Sequence, residues 1–384
     1  METPYSFDEI RSYNDSEVAG AFSQLLANEQ FLKIIPLVFP GVPAEQVVAL
    51  FGSLNSIDEE QTKIILPFFE NLLKKTLSSF DIIGLDKLGN DRDYTYISNH
   101  RDIILDSALF NIFRHKAGLP TTEIAIGDNL FVQKWVEIFV RVNRAFIVKR
   151  NLPLRELLTA SAVLSAYIRH TIQEKRRSVW IAQREGRAKN SDDRTQPALL
   201  KMLAMSGKGS YAESLKELNI VPMTISYEYD PSDFLKAKEF QQKRDNPDYK
   251  KTQQDDAIHM LTGLLGWKGE VRYAVNGDIN AALNEIAGTI KDKNQQIEAV
   301  AEVIDKRIHA DYTIFASNEI ALDMLALNIP FKRNYKDADK KAFQIYLQEQ
   351  IDKIDLPNKD EDFLRTKMLE MYANPLINYL NATI

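Results

Sequence analysis

Between residues 95 and 226 the chain alternates between short apolar runs and longer stretches whose apolar positions recur at helical spacing. The runs TYIS (95–98), TEIAI (122–126), AFIVK (145–149), SVWIA (178–182) and IVPMTIS (220–226) have strand length and are rich in β-branched and aromatic residues. Stretches 103–116, 130–141, 154–174 and 197–206 lie between them and read as helices. Strands alternating with crossovers of this length predict an α/β fold, with a mostly parallel mixed sheet flanked by helices. VRYAV (271–275) predicts a further strand that rejoins the sheet. A helix then runs from Asp278, a candidate N-cap, to about residue 289.

The pattern changes at both ends. Residues 1 to about 90 read as mostly helical. EEQTKIILPFFENLLKKTLSSF places Ile64, Ile65, Phe68, Phe69, Leu72, Leu73 and Leu77 on one stripe, with Pro67 kinking the element or sitting in its first turn. Such a stripe suits core packing better than a membrane contact. After residue 230 the run KAKEFQQKRDNPDYKKTQQDD is strongly polar and predicts a long exposed helix or an insertion. The expected organisation is a helical N-terminal region (1–90), an α/β domain (91–290) with a polar insertion near 232–258, and a mostly helical C-terminal region (291–384).

Composition narrows the function classes. The 384 residues include 54 acidic and 48 basic side chains, a net charge of −6, which disfavours a general nucleic-acid coat. The absence of cysteine excludes disulfides, thiolate metal sites and cysteine nucleophiles. The opening METPYSFDEIRSYND carries acids and no apolar run, so no secretory signal is expected. Nor is there an apolar run of membrane-spanning length. The expectation is a cytoplasmic protein; if it acts on lipid, it should do so from the inner face of the membrane, as a peripheral protein.

The candidate chemistry begins at SNHRDIILD. Asn99-His100 closes a strand, and in sheets of this kind sites gather at the carboxyl ends of strands. Asp102 and Asp106 follow two and six residues on. A carboxylate bonded to one ring nitrogen would fix the tautomer and leave the other as a base; Asp102 is also placed to cap a helix. A satisfied buried histidine stands as the plain alternative. A metal site is the weaker reading, because the other histidines, at 115, 170, 259 and 309, show no paired spacing. Two further strand ends release cations: Lys149, Arg150 and Arg155 after one, and Arg184, Arg187, Lys189 and Arg194 around Glu185 and Gly186 after another. On one rim they would form a basic wall suited to phosphate or another anion. Gly186 allows a tight turn there.

These blocks, in this order, resemble the glycerol-3-phosphate and 1-acylglycerol-3-phosphate acyltransferase superfamily. SNHRDIILD is similar to its Asn-His block, with His100 matching the catalytic histidine and Asp106 the partner acid. FIVKR matches the second block through Phe146, Lys149 and Arg150. QREGRAK matches the third through Glu185 and Gly186, with Arg187 as the nearest substitute for its arginine. NIVPMTIS matches the fourth through Pro222. The blocks span roughly 95 to 226. Two departures stand out. Five residues separate His100 from Asp106, one more than is usual, which leaves Asp102 as a second candidate. Gln183 and Arg184 replace the usual Phe-Pro lead-in.

The resemblance implies transfer of a fatty acyl group from an acyl-CoA or acyl carrier protein thioester, with no bound cofactor and no metal. The acceptor would be a hydroxyl of a glycerol phosphate, lysophospholipid or other polar lipid. His100 would be the general base, and Lys149, Arg150, Glu185, Gly186 and Arg187 would bind the acceptor. The apolar helices before His100 and at 130–142 (Phe131, Val132, Trp135, Ile138, Phe139) are candidate walls of an acyl tunnel, although the second stripe suits core packing better than lipid contact. A non-catalytic lipid or acyl-carrier binding protein, and a hydrolase using the same histidine on water, are the competing readings.

Overall fold

The computed structural model describes residues 5–39, 41–131, 133–150, 152–327 and 329–383. Its centre is a seven-stranded sheet made of β1 (Ser79–Ile83), β2 (Thr95–Ser98), β3 (Glu123–Gly127), β4 (Ala145–Val148), β5 (Val179–Ala182), β6 (Ile220–Tyr227) and β7 (Glu270–Val275). The spatial order is β1-β7-β6-β2-β5-β3-β4, and every pairing is parallel except β6 with β7. Five strands therefore share one carboxyl edge, with β2 between β5 and β6.

The two-residue period of each strand divides the core between the two faces. Ile97, Val179, Ile181 and Ile220 pack with Tyr167 and Ile168 of the Leu154–Gln173 helix and with Ile304 and Ile308 of the Lys293–Ala310 helix. Their neighbours Tyr96, Trp180 and Val221 face the other way, against Leu105, Leu109 and Phe110 of the Leu105–Lys116 helix and Phe69 and Leu73 of the Leu66–Thr76 helix. Two further cores lie outside the sheet. One joins the helices at 15–52 to Ile138 and Val142; the other joins Ala237 to the last helices of the chain.

The structure revises some details of the sequence reading and decides between the alternatives it left open at others. Residues 79–83, inside the stretch expected to be helical, form β1, an edge strand in parallel register with β7 from Ser79–Glu270 to Ile83–Ala274. A short apolar run containing Asp81 and following directly on a helical pattern gives no periodicity that separates it from that helix. Pro67 sits in the first turn of Leu66–Thr76, after a π-helical turn at Gln61–Ile65. Trp135, Ile138 and Phe139 belong to the core shared with the N-terminal helices, so this stripe packs protein rather than lining a tunnel; Val132 lies outside the described residues. The N-cap of Asn280–Thr289 is Ile279, and Asp278 supports that turn by accepting from the Asn280 N–H at 3.0 Å.

The largest correction concerns the polar run. It folds as two helices, Asp233–Asp245 and Gln253–Leu265, and is far from wholly exposed. Lys236, Glu239, Gln241 and His259 are buried. Ion pairs offset the burial of charge: Lys236 meets Asp230, and Glu239 meets both Lys189 and, at 3.0 Å, Lys243. A polar run of this kind reads as solvated because periodicity cannot show partners supplied from other parts of the chain.

Candidate active site

The end of β2 is fixed before any chemistry is placed on it. The Asn99 side chain donates to the Ile225 carbonyl at 2.9 Å and accepts from the Ile225 N–H at 2.8 Å, which ties β2 to β6. Trp180 donates from Nε1 to Ser98 Oγ at 3.1 Å, tying β2 to β5. The next residue, His100, emerges at this braced edge with the Trp180 ring edge-on at 6.0 Å between centroids.

The extra residue before Asp106 is accommodated by the turn into the helix. Asp102 Oδ1 accepts from the N–H groups of Ile104 and Leu105, at 2.9 and 2.8 Å, and so supports the first turn of Leu105–Lys116. Asp106 then sits in that turn, fully buried, with Oδ2 2.8 Å from His100 Nδ1 and 2.6 Å from the Arg101 N–H. Tyr227 approaches its other oxygen at 3.4 Å. Of the two carboxylates left open by the sequence, Asp106 is the one bonded to the ring, while Asp102 holds the helix end. Burial, followed by the neighbouring Asp106 charge, raises the Asp102 carboxyl above its ordinary range.

With Nδ1–H donated to Asp106, the lone pair lies on Nε2, which has no hydrogen-bond partner among the described residues. His100 lines a cleft of about 1280 Å³ along the carboxyl ends of β2, β5, β3 and β4. Lys149, Arg150, Arg155, Arg184, Glu185, Gly186, Arg187 and Lys189 line the same cleft, so every member of the expected acceptor set reaches it. Arg194 does not; it pairs with Asp192 at 3.0 Å and bonds Asn378 at 3.2 Å. Apolar side chains, among them Ile124, Ile126, Leu157, Val163, Leu199 and Met202, line the rest.

The cations differ in how they are held. Arg150 reaches over Gly127, where an added Cβ would lie 2.5 Å from its Nε, and binds Glu185 at 2.7 Å, bridging the loops after β4 and β5. Gly186 turns with φ +67°, a left-handed conformation that favours glycine. Arg187 is only partly exposed, and its Nη1 is buried without a hydrogen-bond acceptor. A buried guanidinium nitrogen without a partner is costly, and Arg150 Nε and Arg101 Nη1 are left in the same way, so this rim holds donor capacity that its own carboxylates do not use.

Several site residues carried no local signal in the sequence. Arg101, buried beside the base, is paired with Asp193 at 2.7 Å, and its carbonyl accepts from Lys236 at 3.3 Å. The Gln253–Leu265 helix closes over the turn: an added Cβ at Gly263 would lie 1.9 Å from Asp102 Oδ2, so only glycine admits this approach. One turn earlier, His259 is buried with Nδ1 unpaired. Burial pushes its pKa down to about 2, with Arg187, Lys251, Lys236 and Lys189 adding to the effect. Apart from Lys251, which precedes His259 by eight residues, these partners lie more than twenty residues away in the chain, and only the folded chain brings them together.

Among the described residues, no group of three or more acidic or histidine side chains is placed to hold a metal ion, and no helix is long and apolar enough to cross a membrane. In comparisons with known proteins, residues 79–226 match the family model described as Acyltransferase. No curated protein matches. Among solved structures, the signal recognition particle receptor FtsY from Elizabethkingia anophelis aligns with 12% identity over 78% of this chain and 98% of that one, at a TM-score of 0.22, too low to relate the two folds.

Proposed function

We propose that the region matching the family model described as Acyltransferase, residues 79–226, moves a fatty acyl group from a thioester donor, acyl-CoA or acyl carrier protein, to a hydroxyl of a phosphate-bearing or similarly polar lipid. The observation that carries the reading is the His100–Asp106 contact of 2.8 Å, with Nε2 unbonded on a histidine that lines a cleft both cationic and apolar.

The reaction follows from that geometry. His100 Nε2 takes the proton of the acceptor hydroxyl while its oxygen attacks the thioester carbonyl. Asp106 holds the ring in the tautomer with Nδ1 protonated and stabilises the imidazolium that forms. The new C–O bond is made, the C–S bond breaks, and the proton on Nε2 passes to the departing thiolate. Arg187, with Nη1 short of a partner, and Lys189 suit a phosphate group of acceptor or donor, and Arg150 with Glu185 stiffens the same rim. The apolar lining offers a surface for an acyl chain.

A protein that only bound lipid would have no use for a base oriented by a buried acid, and this favours catalysis over the binding reading. The test is to incubate the purified chain with acyl-CoA or acyl carrier protein and a lipid extract, and to identify new acylated products by mass spectrometry. Wild type is expected to form an ester, and His100→Ala to lose about 10²- to 10⁴-fold in rate with folding intact. Full activity in His100→Ala would overturn the assignment. Free fatty acid as the sole product would point to hydrolysis.

A further inference from the structure

The Gln253–Leu265 helix has an inner face that serves the site and an outer face left exposed among the described residues. Its start is fixed by Thr252 and Asp255, which exchange N-terminal hydrogen bonds. Inward, Gly263 lies against Asp102 and His259 is buried. Outward, Ile258, Leu261 and Leu265 recur at intervals of three and four residues, and the last two are 57% and 56% exposed; Trp267, half exposed, follows the helix end. Across the cleft, the first turn of Leu154–Gln173 shows a second greasy edge, with Leu154 74% and Leu158 57% exposed.

The two edges border one opening. Lys251 and Asp256, at the start of the Gln253–Leu265 helix, line the cleft together with Arg155 and Leu157. The helix also contacts the Asp128–Leu130 turn after β3. Seven cationic and four acidic side chains line this cleft, in a chain whose overall charge is −6. Leucines and a tryptophan beside a local excess of cations have the composition of an interfacial membrane contact, in which apolar side chains enter the acyl boundary and cations meet anionic headgroups.

We propose that the outer face of Gln253–Leu265, with Trp267 and the Leu154–Leu158 edge, docks the protein on an anionic phospholipid bilayer, so that the cleft opens toward the membrane surface. The occupant is a bilayer rather than a second copy because the cleft beside these edges carries seven cationic against four acidic side chains, an excess that complements an anionic surface, whereas a second copy would set the same cationic opening against itself. This rests on the proposed lipid acceptor only for its purpose; the docking itself is a separate property.

The test uses the full chain and vesicles of phosphatidylcholine with one quarter phosphatidylglycerol, against phosphatidylcholine alone. Wild type is expected to co-sediment with the anionic vesicles, with binding that weakens as salt is raised. Leu261→Glu/Leu265→Glu is expected to bind at least about tenfold more weakly, because charge replaces the inserted leucines. That variant should keep wild-type activity on a short-chain, water-soluble acceptor and lose it on acceptor embedded in vesicles, while His100→Ala should bind vesicles as wild type does. Equal vesicle binding by wild type and Leu261→Glu/Leu265→Glu would overturn the proposal. So would a wild-type dimer that the double variant abolishes, since the face would then be covered by a second copy. A His100→Ala protein that docks normally while wild type transfers no acyl group would sink the catalytic reading and leave the docking surface standing.

Discussion

Two halves of the cleft are built in opposite ways. The base and its acid, His100 and Asp106, lie six residues apart and meet through one turn of chain and the first turn of a helix. The anion-facing half draws Arg150 from the loop after β4, Arg187 and Lys189 from the loop after β5, and Lys251 from beyond β6, with Lys236 and His259 buried outside the lining. The first half depends on local geometry, which a short segment dictates. The second depends on packing over long loops, so it tolerates change in any one member and is the natural place for specificity to vary.

The sharpest way to break this contrast is at the two aspartates. Asp106→Asn keeps the volume but removes the charge that steadies the imidazolium, and is expected to cost on the order of 10³-fold in kcat or more. Asp102→Ala removes a helix-end contact instead, costing about 1 kcal/mol of stability and little in kcat. Denaturant titration alongside steady-state rates separates them, and equal small losses in both would remove Asp106 from its orienting role. A smaller effect is expected in the distributed half: Arg187→Ala should raise KM for a phosphate-bearing acceptor by about tenfold to a hundredfold, an interaction of about 1.5–3 kcal/mol, with kcat largely kept. A matching fall in kcat would show that the guanidinium acts on the transition state instead.

The last expected effect falls on the pH dependence of stability and leaves rate aside. His259 is neutral in the folded chain, with its pKa held down to about 2 by burial and the surrounding cations. The unfolded chain takes up a proton near pH 6.5 that the native residue refuses, so this residue costs nothing above that pH. As pH falls below 6.5, stability is lost at up to about 1.4 kcal/mol per pH unit. His259→Gln should therefore be more stable relative to wild type at pH 5 than at pH 7, by about 2 kcal/mol in chemical denaturation. Parallel losses in the two proteins would show that the cluster does not hold His259 neutral.

Much of the α/β core was legible because its strands are apolar runs of strand length bounded by helical patterns, as at TYIS and SVWIA. β1 was not, since SFDII offers five residues, one of them charged, and becomes a strand only through its pairing with β7. His100 was legible as a strand-end histidine in a chain with only five. The choice between Asp102 and Asp106 was not, because both lie within reach of one turn. The polar run after residue 230 misled for a physical reason: Lys236 and Glu239 look like solvent-facing residues until Asp230 and Lys189 are placed beside them.

By itself, the sequence determined the alternation of strands and helices, the placement of His100 at a carboxyl edge, and the supply of cations after neighbouring strands. Each follows from periodicity and short-range geometry, which are properties of contiguous segments. The tertiary structure alone decided which carboxylate meets the imidazole, which cations are paired and which keep a nitrogen short of a partner, and how the Gln253–Leu265 helix turns Gly263 inward and Leu261 and Leu265 outward. Those outcomes depend on contacts between distant segments, whose packing selects one arrangement among several that the local pattern permits equally well.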